Sequence, residues 1–216
     1  DRPNTRVTSC LHERFGIEWD RECGRYEINL SDAAAETARA ALHNVKRPVA
    51  VHYFGDSDKC NKDLTHEQAK KICQHILHLG CTPLLLNWRD NMFPITKGMT
   101  SVRSLGLSEE LGCDAQMNCA IISECEAFVG IDSGPSKCAS ATKTPALVTW
   151  TGHHPSPFHD PADNTTHLVP QGYHGLNPVC NDPGVIAWFE TNYNVRQYTE
   201  FDPVPEIKEW LTEILE

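Results

Sequence analysis

No run of apolar residues in this sequence approaches the roughly 20 needed to span a bilayer, so no membrane-spanning helix is expected. Positive charge is also scarce. The formal net charge is -10, and phosphate backbones or anionic lipid would be repelled unless basic residues cluster locally. Nucleic acid is therefore not an expected partner. The ten cysteines include no C-x-x-C pair, which removes the usual zinc-ribbon and thioredoxin-like spacings. Several of them, such as Cys73, Cys119 and Cys138, fall among apolar residues on predicted helices. They read as small buried hydrophobes in a reducing compartment, with disulfides in a secreted protein as the alternative. No repeat or low-complexity segment occurs. No apolar leader follows Asp1, so a cytoplasmic protein is expected, with any targeting segment outside these 216 residues.

What is present is alternation. Ser31 can cap a helix running to about Val45, with Asp32 at the positive end of its dipole. "RPVAVHYF" reads as a buried strand. "THEQAKKICQHILHLG" opens on a capping box, Thr65 with Gln68, and its apolar residues recur at helical spacing before Gly80. "CTPLLLNW" is a second strand. Asp114 can cap "AQMNCAIISEC", "EAFVGI" is a third strand, Gly134 and Pro135 open a small-residue helix, and "PALVTW" is a fourth strand. Such an order predicts an α/β fold, a Rossmann-like three-layer sandwich with a mainly parallel sheet. Residues beyond 152 are rich in Pro, His and Asn. The chain closes on an amphipathic helix whose stripe is Ile207, Trp210, Leu211, Ile214 and Leu215.

In such a sheet, ligands gather where strands lead into helices. The turn "GIDSGPSK" is one such place. Gly134 has no Cβ to hold a ligand off, and Pro135 suits the first helical position. The amides of Ser136 and Lys137 point out of the helix end, where the dipole favours an anion. Ser133 adds a hydroxyl and Lys137 a charge, while Asp132 is expected to brace the turn by accepting from its amides. A plain strand-to-helix cap accounts for the same residues. A second loop, "YFGDSDKCNKD", repeats the ingredients: Gly55, Asp56, Ser57, Lys59 and Lys62. If both loops reach one crevice, they suit a diphosphate. Asn87, Trp88, Arg89 and Asp90 could offer hydrogen bonds and an aromatic face to a base and ribose, although Trp88 equally fits a core. Cys113 would stand on the far wall, and Thr151 and Gly152 on the rim. "HHPSPFHD" offers His153, His154, His159 and Asp160 as metal-ligand types, but the spacing matches no zinc signature and no metal site is expected.

The stretch from Ser108 to Pro155 resembles the glycosyltransferase family 9 pattern, the heptosyltransferase-like enzymes. That pattern has a helix, a strand ending in D-[ST]-G-x-x-H, a small-residue helix and a His/Pro-rich turn. The likeness extends more loosely over residues 31 to 170. It implies the donor-binding half of a two-domain GT-B enzyme of lipopolysaccharide biosynthesis, with a nucleotide sugar as substrate and no separate cofactor. Ser133 and Gly134 would hold the donor diphosphate, and Lys62 would neutralise it as it leaves. The loop from Asn87 and the Cys113 region would meet ribose and base. A glycan or lipid-linked acceptor, the catalytic base and any peripheral membrane contact would belong to an N-terminal domain. Residues 1–30 would be the connection from that domain, and 31–216 the donor domain. The closing helix would resemble the one that, in GT-B folds, packs back towards the first domain. The family's histidine after D-S-G is Lys137 here, which leaves any imidazole role unfilled. A non-catalytic nucleotide-sugar-binding module and a sugar-nucleotide epimerase share the architecture.

Overall fold

A computed structural model describes residues 14–16, 26–55, 62–86, 93–107, 114–151, 154–156, 158–159, 162–172, 183–199 and 202–216. Its elements in chain order are α1 (Asp32–Leu42), β1 (Pro48–His52), α2 (His66–His78), β2 (Thr82–Leu85), β3 (Thr100–Ser101), α3 (Ala115–Ser123) and β4 (Ala127–Ile131). There follow α4 (Gly134–Ser140), β5 (Ala146–Thr149), β6 (Thr165–Pro170), α5 (Pro183–Asn192), β7 (Asn194–Tyr198) and α6 (Val204–Leu215). The strands form one seven-stranded sheet in the order β3-β2-β1-β4-β5-β6-β7. Every pairing is parallel. The fold is Rossmann-like α/β.

Both faces of the sheet are covered, which is why its strands read as apolar runs rather than alternating ones. Val49, Val51, Val129, Ile131 and Leu147 point to one face, against Ile72 and Ile76 of α2 and Ile207, Trp210 and Leu211 of α6. Ala50, Phe128, Ala146 and Val148 point to the other, against Ala38 of α1, Met117 and Ile121 of α3, Ala139 of α4 and Ile186 of α5. The helix starts follow the side-chain chemistry. Thr65 Oγ1 accepts from the Gln68 amide at 3.2 Å while Gln68 Oε1 accepts from the Thr65 amide at 2.9 Å. Asp114 Oδ1 accepts from the Gln116 amide at 2.9 Å.

Four elements exceed the sequence expectation: β3, β6, α5 and β7. β6 is "TTHLVP", fully buried yet carrying Thr165, Thr166 and His167. Its polar side chains are accommodated inside by partners distant in sequence. His167 Nδ1 accepts from Trp150 Nε1 at 3.2 Å, and Thr165 Oγ1 lies 3.0 Å from Ser140 Oγ. β7, "NVRQY", is an edge strand and polar for that reason.

Packing places two further segments. The apolar stripe of α6 lies against α2 and the sheet. Val204 joins the buried set, and Ile214 is left 41% exposed. Residues 26–30 are stitched to the domain. The Asn29 carbonyl accepts from Gln116 Nε2 at 2.9 Å, and Tyr26 sets its ring edge-on to His159 at 5.5 Å.

Candidate functional site

Chain order reverses between β1 and β4, which lie side by side at the middle of the sheet with His52 in register with Gly130. Connections from strands on either side of such a reversal run to opposite faces and leave a crevice at the carboxyl edge. The two loops singled out in the sequence begin there. After β1 the chain runs through Tyr53 and Phe54 to Gly55; after β4 it enters Asp132, Ser133 and Gly134.

The first loop is pinned at its base. The Leu64 amide donates to the Tyr53 carbonyl at 3.0 Å, and the Gly55 amide donates to Asp63 Oδ1 at 2.8 Å. A Cβ on Gly55 would lie 3.5 Å from Lys62 Cε and 3.5 Å from Ile131 Cδ1. Lys62 is thereby held beside the last residue of β4. Its charge also reaches His52, the final residue of β1. His52 is buried and its pKa is lowered to about 4, chiefly by burial and then by Lys62, against an opposing hydrogen bond with the Leu86 backbone. The ring is neutral near pH 7, and its Nδ1 has no hydrogen-bond partner among the described residues.

The second loop is tight. The Ser133 amide donates to Ser136 Oγ at 3.1 Å, and that hydroxyl donates to the Ser133 carbonyl at 2.8 Å. Ser136 is fully buried, so its role is to close the turn. Ser133 Oγ donates to the Ile131 carbonyl at 3.1 Å. Gly134 is exposed, with no atom within 4 Å of where a Cβ would sit. Pro135 occupies the first turn of α4.

Lys137 does not stand alone over this turn. Its Nζ donates to the Phe158 carbonyl at 2.9 Å and lies 3.6 Å from Asp132 Oδ1. It also stands over the rings of Trp150, at 5.6 Å, and Tyr26, at 5.8 Å. Its charge is shared with a carboxylate and two aromatic faces, which ties α4 to the segment around Phe158. Asp132 correspondingly faces a cation.

Thr151, half-buried, follows β5 at the same edge of the sheet. Asp56, Ser57, Lys59, Asn87, Trp88, Arg89, Asp90, Cys113, Gly152, His153 and Asp160 lie outside the described residues. Of the suggested metal ligands, His154 and His159 are fully buried. His154 Nδ1 accepts from the Ser156 amide at 3.2 Å, and His159 packs edge-on to His167 at 4.7 Å and Trp150 at 6.0 Å. Among the described residues no group of three or more His, Cys, Asp or Glu side chains could hold a metal ion. No described helix is long and apolar enough to cross a membrane.

Sequence reasoning missed Asp63 and His52. Asp63 directly follows Lys62, but nothing in the spacing shows that it reaches back to Gly55. His52 sits inside an apolar run and reads as an interruption. A shallow depression of about 380 Å³, lined by Ser123, Cys125, Lys143, Thr144 and Pro145, opens at the opposite edge of the sheet and holds none of these residues.

No family model and no curated protein matches this sequence. Solved structures do resemble the fold. A glycosyl transferase family 9 protein from Veillonella parvula superposes with a TM-score of 0.65 at 12% identity, over 100% of this chain and 61% of its own. ADP-heptose lipopolysaccharide heptosyltransferase II of E. coli gives 0.58 at 12% identity, over 88% of this chain and 53% of its own. A second E. coli heptosyltransferase, solved with ADP, gives 0.50 at 13% identity, over 86% and 55%. The present chain thus spans between half and two thirds of the length of these enzymes, and the likeness at such identity is one of fold.

Proposed function

We propose that this chain is the nucleotide-sugar-binding domain of a heptosyltransferase-like glycosyltransferase of the two-domain GT-B type. The enzyme would transfer a sugar from a nucleoside-diphosphate sugar to a hydroxyl acceptor. The observation that carries the reading is that the Lys62 stem and Ile131, the residue before the Asp132–Gly134 turn, both flank Gly55 at the reversal of strand order. The likeness of fold to family 9 enzymes, one of them solved with ADP, supports it.

In this reading the diphosphate lies between the two loops. Lys62 supplies a full positive charge, and the open backbone at Gly134 lets phosphate oxygens come close. The Ser133 hydroxyl would turn from the Ile131 carbonyl towards the ligand. As the acceptor oxygen attacks the anomeric carbon, the bond to the diphosphate breaks and charge grows on the departing oxygen. Lys62 then interacts more strongly than in the ground state, which is the condition for lowering the barrier. Lysine supplies the countercharge without a metal. The acceptor, a glycan or lipid-linked sugar of lipopolysaccharide type, and the base that deprotonates it would be met by a further domain, in the cytoplasm. Thr151 and Gly152, with Asp56, Ser57, Asn87, Trp88 and Cys113, would complete the walls around sugar, ribose and base.

The test is calorimetric titration of ADP, UDP and GDP into the protein in the presence of EDTA. One nucleotide is expected to bind, and K62A to weaken it at least tenfold. Absence of heat from all three at millimolar concentration overturns the donor-site reading. Binding without sugar transfer in the full-length protein would favour a non-catalytic module, and inversion of the donor sugar itself an epimerase.

A further inference from the structure

Helices α3 and α4 pack side by side, and each brings one cysteine to the seam. Cys119 is buried and Cys138 half-buried. Cys119 Sγ lies 3.7 Å from the carbonyl oxygen of Cys138, and Cys138 Sγ lies 3.9 Å from the carbonyl oxygen of Ala115, on the opposite helix. The two thiols are near enough for each to shift the other's titration. Cys81 and Cys125 behave differently, turning their thiols onto the nearby carbonyls of Leu79 and Ile121.

The geometry points to Cys119 and Cys138 as an oxidisable dithiol, which a hydroperoxide converts to a disulfide bolting α3 to α4. Cys138 is the attacking group. It is the more exposed of the two, and the neighbouring Cys119 thiol holds its pKa below the ordinary thiol value, although burial and Asp114 oppose this. The neighbouring Cys138, together with burial, pushes Cys119 up, so Cys119 keeps its proton and serves as the resolving thiol.

The chemistry balances. The Cys138 sulfur attacks one peroxide oxygen, the O–O bond breaks, and the departing oxygen takes up the thiol proton to leave as water or alcohol. Cys138 is then a sulfenic acid. Cys119 Sγ attacks that sulfur, the S–S bond forms and the S–O bond breaks. The hydroxide released takes the Cys119 proton and leaves as a second water. Two thiols have lost two electrons, and the peroxide has gained them.

Because α4 begins at Gly134, the bond would fix the helix that carries the turn of the candidate site. This consequence rests on the donor-site reading; the bond itself does not.

The experiment treats folded protein with a small excess of hydrogen peroxide, blocks remaining thiols with iodoacetamide, and maps non-reduced tryptic peptides. Fragment-ion sequencing is needed, since the tryptic peptide carrying Cys119 also carries Cys113 and Cys125. The expected result is a Cys119–Cys138 link with loss of two hydrogens, reversed by dithiothreitol. In C119S, Cys138 is expected to stop at a sulfenic acid that dimedone traps. A link from Cys138 to any other cysteine overturns the proposal. So does Cys138 passing to sulfinic acid unlinked in the wild type, or remaining reduced while other cysteines oxidise. The wild-type map decides the matter even if C119S fails to fold. Titrating ADP, UDP and GDP into both redox forms separates the two ideas: no binding of any of the three to either form sinks the donor site and leaves the dithiol standing.

Discussion

The stem of Lys62 and the side chain of Ile131 close on the same point above Gly55, each 3.5 Å from where a Cβ would sit. One belongs to the loop after β1, the other to the end of β4. This convergence on Gly55 sets the stem of a cationic side chain from one loop near the start of the other, and the ordinary reason for a lysine on a surface loop does not require it.

Lys62 can be tested without any ligand. Its charge is one of the causes that lower the His52 pKa. In K62M that repulsion is gone, so the His52 pKa is expected to rise towards its ordinary value while burial keeps it below. Proton or nitrogen NMR titration of the His52 ring reads the change. An unchanged His52 titration would place the Lys62 ammonium away from the end of β1. The same variant should bind the nucleotide at least tenfold more weakly, with little loss of fold stability.

His52 itself predicts an acid-sensitive fold. Its pKa falls from the ordinary 6.5 to about 4 on folding, so the unfolded chain binds the proton more readily. Above pH 6.5 the ring is neutral in both states and contributes nothing. As pH falls from 6.5 towards 4 the unfolded state gains protons first and stability is lost, by about 3 kcal/mol in all. Urea unfolding at pH 7 and pH 4.5 should show a steeper loss for the wild type than for H52Q. Equal losses would mean that His52 is not held neutral.

Arg47 joins two helix ends to the sheet. Its backbone is in the left-handed region, with φ +45°. Its Nη2 donates to the Leu215 carbonyl at 2.8 Å and its Nη1 to the Leu79 carbonyl at 3.5 Å, at the carboxyl ends of α6 and α2. A cation there complements both dipoles and satisfies terminal carbonyls. R47A loses the clamp and keeps the strained backbone, so it should cost about 1–3 kcal/mol. R47G loses the clamp but relieves the strain, and should cost less. Denaturant midpoints for the pair check the order; R47G at least as damaging as R47A would contradict it.

Much of this arrangement was legible because it is local. The apolar runs at Pro48–His52 and Ala127–Ile131, the cap at Thr65 and the Gly-Pro opening of α4 each depend on a few neighbouring residues. Alternation then implied a parallel sheet. The rest depends on partners far along the chain. Nothing near Thr165 announces that Ser140 will meet its hydroxyl, and β6 was not assigned from the sequence. Nothing near Lys137 announces that the Phe158 carbonyl will meet its ammonium. The α6 stripe was visible, but which body would cover it was not, because an apolar face specifies burial and not a partner.

Two glycines beside the crevice separate packing from binding. A Cβ on Gly130 would come within 2.5 Å and 2.8 Å of the Phe128 ring and 3.1 Å of the His52 carbonyl oxygen. Phe128 is fully buried and has no space to swing aside, so G130A is expected to cost about 1–3 kcal/mol through overpacking. Gly134 is the opposite case, with no atom within 4 Å of its Cβ position. At the start of a helix, alanine there should leave stability unchanged or raise it by a few tenths of a kcal/mol. If phosphate oxygens approach the backbone at this point, the added methyl lies in their way, and nucleotide affinity should fall about tenfold, about 1.4 kcal/mol. Thermal unfolding and calorimetry on the two variants give the answer together. G134A binding as tightly as wild type would remove the turn after β4 from the ligand's path, even if Lys62 remained in it.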